Sequence, residues 1–276
     1  MIVFLNGQFV PEEQAVVSVF DRGFQFGDGL FETLRVYRGK PFRWADHLER
    51  LRRGAEFLKI KLPFREEELL RHALELIERN RMPESLLRIS LSRGVGLRGY
   101  SPKGADRPTA VMTLHPAPDL TGPAPGWRLI TASPRLPANE PLAQFKTCNK
   151  LPQILARAEA DAAGANEALL LNTNGAAVEG GGSNLFWIEG STVCTPPLAS
   201  GILAGVTRLV VREICRKLSL PCREADITPA ELFEAEGVFM SLSSRGVVEV
   251  VSLDGKDLKR SPLVEEIRTA YEEMAG

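Results

Sequence analysis

The chain has 276 residues, 44% of them hydrophobic and 25% charged, the proportions of an ordinary globular protein with room for two domains. A formal net charge of -1 gives no electrostatic reason to expect nucleic acid or an anionic membrane as a partner, and no apolar run approaches a bilayer span. Four cysteines without a CxxC pair and three scattered histidines offer no metal-ligand spacing, so a reduced, metal-free, cytoplasmic protein is expected.

Residues 1–8 lack the basic n-region and cleavage site of a signal peptide and read as a strand entering a turn. Apolar residues at 3–5 and 9–10 flank Asn6-Gly7, a dipeptide suited to a tight hairpin. Residues 30–37 form a strand pattern ending at Arg38-Gly39, with 41–43 returning. From Trp44 the pattern turns helical, with Leu48, Leu51, Ala55 and Leu58 at three- and four-residue spacing; 64–79 is a second amphipathic helix. Strands are predicted at 86–92 and 109–114, separated by the glycine-rich stretch 93–102. Four prolines and two glycines within 116–126 exclude regular structure and mark a boundary. The expected division is an N-terminal α/β domain over 1–117, a linker over 118–126 and a C-terminal α/β domain over 127–276. In the second domain, strands are predicted at 127–132, 168–171, 185–188, 192–194, 238–242 and 247–253. Helices are predicted at 207–218, 229–235 and 262–274, with another ending near Gly164. Both halves are mixed α and β without repeats, so neither a solenoid nor a regular βαβ array fits.

The chemistry concentrates between Lys146 and Phe186. A lysine that precedes a helix can be held on its inner face, where burial lowers the amine's pKa and frees its lone pair. Glu179 stands ahead of Gly180-Gly181-Gly182. Glycines let backbone approach a flat or charged group, and a lone acid beside them can pair with a cationic ring nitrogen. Taken singly, a lysine is usually solvated and a glycine run is usually a turn.

The run Glu179-x-Gly181-x-x-Asn184-Leu185-Phe186, then Val193-x-Thr195, then Leu203-x-Gly205-Val206-x-Arg208, closely resembles the signature of the class IV aminotransferases. These are fold-type IV pyridoxal-phosphate enzymes: branched-chain and D-amino-acid aminotransferases and aminodeoxychorismate lyases. The likeness extends to residues 21–33, His47-Leu48-Glu49-Arg50-Leu51 and Lys146-x-x-Asn149. It implies a two-domain, D-amino-acid-aminotransferase-like fold of mixed α/β class, pyridoxal 5'-phosphate as cofactor, a small-molecule substrate and a homodimer.

Carried over residue by residue, the resemblance makes Lys146 the Schiff-base lysine and proton shuttle, and Glu179 the partner of the pyridinium nitrogen. Asn184 is placed on the cofactor side, and Arg50 becomes the phosphate-binding arginine. Without the resemblance, Arg50 is one charge on a solvated helix face beside Arg43, Glu49, Arg52 and Arg53. Val206 and Thr207 begin a helix after Gly205, where amides and a hydroxyl meet phosphate at the positive helix end. Ser243 or its neighbour Ser244 supplies the last phosphate donors. Glu32 is a support near the lysine. Asn149 orients the lysine loop or, equally, caps the following helix.

The substrate-facing residues tilt the reading within the family. Arg98-Gly99-Tyr100-Ser101 resembles aminodeoxychorismate lyases. D-amino-acid aminotransferases carry an arginine and a histidine there, contributed by the neighbouring subunit; here Arg98 keeps the cation and Tyr100 replaces the histidine. Phe31 stands where those enzymes have a tyrosine that shares the substrate carboxylate, and phenylalanine has no hydroxyl to replace that hydrogen bond. The implied activity is conversion of 4-amino-4-deoxychorismate to 4-aminobenzoate and pyruvate, for folate synthesis. The alternative is an aminotransferase for D-amino acids or branched-chain L-amino acids, and a remoter one is a non-catalytic cofactor-binding protein. A nucleotide-binding reading fails, because neither Gly27-Asp28-Gly29 nor Gly180-Gly181-Gly182 has the required glycine spacing.

Overall fold

The computed structural model describes residues 1–120 and 126–275, and the counts below are of these. The linker expected at 118–126 therefore lies mostly outside the described residues. The chain divides into two compact units, Met1–Pro118 with Phe145–Asn149, and Asp119–Gln144 with Lys150–Gly276.

In the first unit, β1 (Ile2–Leu5) and β2 (Gln8–Pro11) meet at Asn6 and Gly7. Their φ values of 49° and 93° are the left-handed pair that a two-residue hairpin requires. A five-residue helix that sequence periodicity did not reveal, α1 (Arg22–Phe26), starts where the Asp21 carboxylate accepts from Gly23 N (2.7 Å). It stops at Gly27, with φ 66°. Then follow β3 (Gly29–Tyr37), β4 (Lys40–Pro41), α2 (Trp44–Leu58), α3 (Glu66–Asn80), β5 (Ser85–Ser92) and β6 (Thr109–Pro116). The strands form an antiparallel sheet in the order β2-β1-β6-β5-β3-β4. Burial alternates strictly along β5, and Leu87, Ile89 and Leu91 share one core with Leu48, Leu51 and Ala55 of α2 and Leu69, Ala73 and Leu76 of α3.

Sequence reading assigned Lys146 to a domain spanning 127–276, but Phe145–Asn149 counts with the first unit. Backbone pairing explains this. Thr147 bridges Leu30, Phe31 N donates to Lys146 O (2.9 Å), and Cys148 N donates to Gly29 O (2.9 Å). The lysine segment thus satisfies its main-chain groups on the opening of β3.

The second unit contains β7 (Trp127–Leu136), α4 (Leu151–Ala162), β8 (Glu167–Asn172), β9 (Ala177–Gly180), β10 (Asn184–Glu189) and β11 (Thr192–Thr195). It continues with α5 (Val206–Lys217), β12 (Cys222–Glu224), α6 (Pro229–Leu232), β13 (Gly237–Leu242), β14 (Gly246–Leu253), β15 (Lys256–Asp257) and α7 (Pro262–Ala275). Pairings run β10-β13-β14-β7-β8-β9 and return to β10, so six strands close into a ring, with β11 and β12 added beside β10. Closure leaves β8 through β10 almost wholly buried, which is why they read as short apolar runs without alternation. The helix predicted over 229–235 ends at Leu232. A capping box between Thr228 and Glu231 starts it, and the chain must then extend into β13 at Gly237. Among the described residues no helix is long and apolar enough to cross a membrane.

Candidate active site

In the first unit the reactive candidate is Lys146, held by the main-chain bond to Phe31. Its Nζ lies 4.9 Å from the centre of the Phe31 ring. The guanidinium of Arg88 lies over that same ring at 3.9 Å. Arg88, from β5, was not singled out from sequence. It makes a 3.3 Å bond to Ser90 Oγ and no ion pair among the described residues, and burial lowers its pKa. A half-buried cation without a carboxylate partner is a candidate receptor for an anion.

Glu32, one residue along β3, lies on the opposite face and is 1% exposed. Its carboxylate accepts from Arg50 Nε (2.8 Å) and Arg50 Nη2 (2.6 Å), and meets His47 Nδ1 at 2.7 Å. Burial alone would raise its pKa, but the Arg50 charge and the bonds from Arg50 and His47 hold it at about 2. Burial pushes His47 the other way, below its ordinary value. Arg50 is therefore no solvated surface charge: it is 9% exposed and locked by Glu32 in a two-bond fork. The signal that could have revealed this is spacing, since His47, Arg50, Leu51 and Gly54 recur along the buried stripe of α2.

The glycine-rich loop has a framework of its own. Arg22 donates to the carbonyls of Gly99 (2.9 Å), Tyr100 (3.0 Å) and Ser101 (3.2 Å), and its Nε is held by Asp28 (2.8 Å). Arg93 is bound to both oxygens of Asp28 and to the carbonyls of Leu58 and Lys59. Arg93 is thus occupied structurally, which separates it from Arg98. The side chains of Arg98 and Tyr100 are exposed, and the Tyr100 ring packs on Phe26 at 5.6 Å. Asn149 does not cap α4; its Nδ2 donates to Gly27 O (3.2 Å) and ties the lysine segment to the end of α1.

In the second unit Glu179 is 7% exposed, sits opposite Asn184 across β9 and β10, and accepts from Leu203 N through Oε2 (2.9 Å). Asn184 donates through Nδ2 to Leu203 O (3.0 Å). The loop before α5 is therefore pinned from both sides. A Cβ on Gly205 would stand 1.9 Å from Asn184 Oδ1, so only glycine fits as the N-cap of α5. No side chain caps that helix, and Thr207 is buried in its first turn. Val206 and Thr207 thus offer first-turn amides and a hydroxyl to an anion, the fit that a phosphate group requires. Ser243 and Ser244 lie half-buried in the turn between β13 and β14. A further missed residue is Glu167, 5% exposed, which accepts from Gly182 N and Ser183 Oγ (both 3.3 Å) and shapes the glycine loop from beneath.

The family model for amino-transferase class IV matches residues 29–253. A Methanocaldococcus jannaschii protein provisionally named a branched-chain-amino-acid aminotransferase is 37% identical over 257 residues, covering 93% of this chain and 89% of the relative. A branched-chain amino acid aminotransferase from T.th., solved with pyridoxamine 5'-phosphate, superposes with a TM-score of 0.92 at 31% identity, over 99% of this chain and 93% of the other. The 4-amino-4-deoxychorismate lyase of Pseudomonas aeruginosa superposes with a TM-score of 0.86 at 32% identity, over 98% of each chain.

Proposed function

We infer, given that this chain belongs to the amino-transferase class IV family and is an enzyme of that class, that it is an aminodeoxychorismate lyase using pyridoxal 5'-phosphate. The observation that carries the choice is the Phe31 ring beside Lys146 Nζ, with Arg88 on the same ring. An α-amino acid bears a carboxylate on its amine-bearing carbon, and a phenyl ring offers that carboxylate no hydrogen bond. The amine-bearing carbon of 4-amino-4-deoxychorismate belongs to a ring and carries no carboxylate. A flat apolar wall suits that ring, and Arg88 suits one of the two carboxylates borne elsewhere on the molecule.

When bound, the cofactor supplies an electron sink conjugated to the substrate nitrogen. Lys146 is assigned to take the proton from the amine-bearing carbon. The electron pair left behind enters the ring as the C–O bond to the enolpyruvyl group breaks, so the ring becomes aromatic. The departing enolpyruvate gains a proton to give pyruvate, and 4-aminobenzoate remains; substrate and products balance without water. Glu179 is assigned to the cationic ring nitrogen, which a carboxylate keeps protonated. Arg50, Val206, Thr207 and Ser243 are assigned to the phosphate, with Asn184 as the brace that holds the loop before α5. Arg98 and Tyr100 are assigned to the substrate in the site of a second copy, and the exposed Val19, Phe20, Phe24 and Leu97 to the contact between copies in a homodimer.

Arg88 also favours one second reading, an aminotransferase whose amino-group donor carries a side-chain carboxylate. The deciding experiment follows the visible absorption band of the holoenzyme. Lys146→Ala should abolish the band. The wild type should release pyruvate and 4-aminobenzoate from 4-amino-4-deoxychorismate, while D- and L-amino acids leave the band unchanged. Conversion to the pyridoxamine form by amino acids, without 4-aminobenzoate release, overturns the lyase in favour of the transaminase. Light scattering on the holoenzyme tests the dimer.

A further inference from the structure

Residues 93–108 join β5 to β6 without helix or strand, apart from the bridge between Val95 and Asp21. Connections of that length without regular structure are uncommon in compact domains and concentrate function. Arg22 grips this one twice. At its base, Arg22 N donates to Gly94 O (2.9 Å). Further along, Arg22 Nη1 donates to the carbonyls of Gly99 (2.9 Å) and Ser101 (3.2 Å), and Nη2 to that of Tyr100 (3.0 Å). Nε turns back to Asp28, which Arg93 ties to the carbonyls of Leu58 and Lys59 at the end of α2. Arg22 is 4% exposed, and its guanidinium lies 5.0 Å from the centre of the Phe26 ring, on which the Tyr100 ring also packs. Gly96 leaves room for it, since a Cβ there would stand 2.8 Å from Arg22 Cδ. A buried cation is thus spent on the main chain of a loop whose Arg98 and Tyr100 side chains are exposed within one copy.

We propose that Arg22 is the positioning residue of the substrate-contacting loop, and that it acts across the dimer. By fixing the carbonyls of three successive residues it sets where Arg98 and Tyr100 stand. Those side chains serve the site of a second copy, so Arg22 governs substrate affinity there and not in its own subunit. This rests on the assignment of Arg98 and Tyr100 made above. Four hydrogen bonds from one planar group fix the direction of the loop as well as its place, because the fork cannot rotate without breaking several of them. Lysine keeps the charge but has neither the fork nor the reach to hold Asp28 and three carbonyls together. Arg22→Lys therefore separates the geometry from the charge.

Steady-state kinetics of the Arg22→Lys holoenzyme are measured with whichever substrate wild type turns over, after the visible band and light scattering have shown cofactor loading and dimer formation. KM should rise about tenfold with kcat within about twofold of wild type. Hybrid dimers, isolated with two different tags, locate the effect. Pairing Arg22→Lys with Lys146→Ala leaves one live site, served by an intact loop, and its KM should return to the wild-type value. Pairing wild type with the Arg22→Lys/Lys146→Ala double variant leaves one live site served by the altered loop, and its KM should stay high. A residue that supports only its own subunit gives the reverse pattern, which overturns the proposal. Arg98→Gln tells this failure from that of the assignment beneath it. A wild-type KM in Arg98→Gln takes the loop away from the substrate and refutes both, whereas a raised KM there with an unchanged KM in Arg22→Lys refutes only the role of Arg22. Should Arg22→Lys fail to load or dimerise, Gly96→Ala crowds the Arg22 side chain at 2.8 Å without changing it and must raise KM in the same hybrid pattern; a wild-type KM there overturns the proposal.

Discussion

Replacing Glu32 by glutamine removes one negative charge from a cluster in which every member is buried. The carboxylate accepts two bonds from Arg50, at 2.8 and 2.6 Å, and meets His47 at 2.7 Å. Glutamine keeps one oxygen, but its amide donors must face either the Arg50 guanidinium or His47, and the Arg50 charge loses its counterion. Breaking a buried pair by removing one partner costs about 3–5 kcal/mol. The acidity of Glu32 gives a similar figure: depression from an ordinary 4.5 to about 2 corresponds to on the order of 3 kcal/mol. Because the folded pKa is the lower one, this stability is fully present above about 4.5 and is lost as pH falls through about 2. His47 adds a separate slope. Its folded pKa also lies below the ordinary 6.5, so the unfolded chain binds the extra proton first and stability declines as pH drops below 6.5. Urea unfolding of wild-type and Glu32→Gln holoenzymes should show a gap of about 3 kcal/mol near neutral pH that narrows once pH drops below 4.5. A gap below about 1 kcal/mol, or one constant with pH, would refute the counterion argument.

Gly205→Ala places a methyl 1.9 Å from Asn184 Oδ1, so the start of α5 must shift; thermal unfolding should show a loss of about 1–3 kcal/mol, and cofactor titration a weaker affinity. Arg88→Gln removes the carboxylate-free guanidinium, and steady-state kinetics should show KM for the dicarboxylate substrate raised about tenfold or more with kcat little changed. Phe31→Tyr adds a hydroxyl beside Lys146; bleaching of the visible band by amino acids should rise above wild type while release of 4-aminobenzoate falls.

Periodicity sufficed for α2 and α3 because their buried stripes are made largely of ordinary apolar residues: Leu48, Leu51 and Ala55 are core at the positions where a 3.6-residue repeat puts them. The first hairpin was equally legible, since Asn6-Gly7 has one low-energy use between strands. Pairing at long sequence distance was not. Nothing in the apolar pattern says that Phe145–Asn149 pairs with the opening of β3, or that β9 returns to β10 and closes a ring, because main-chain hydrogen bonds leave no signature in side-chain composition. The same limit hid the supporting charges. Glu167 beneath the glycine loop and Asp28 between Arg22 and Arg93 are single acids in sequence, and they acquire roles only through partners brought by the fold.

Reaction and selectivity are also separable at the level of individual bonds. The lysine segment is held to β3 through Phe31 N and Lys146 O, which any residue at position 31 except proline can reproduce. The ring at 31 lies 4.9 Å from the amine, a contact separate from that main-chain bond. A change there can therefore alter which carboxylate is tolerated while the lysine remains in place. Phe31→Tyr should accordingly keep the visible band at wild-type intensity before substrate is added, whereas Lys146→Ala should lose it. If Phe31→Tyr also loses the band, the ring positions the lysine, and the division between a fixed chemical core and a variable substrate wall fails at this residue.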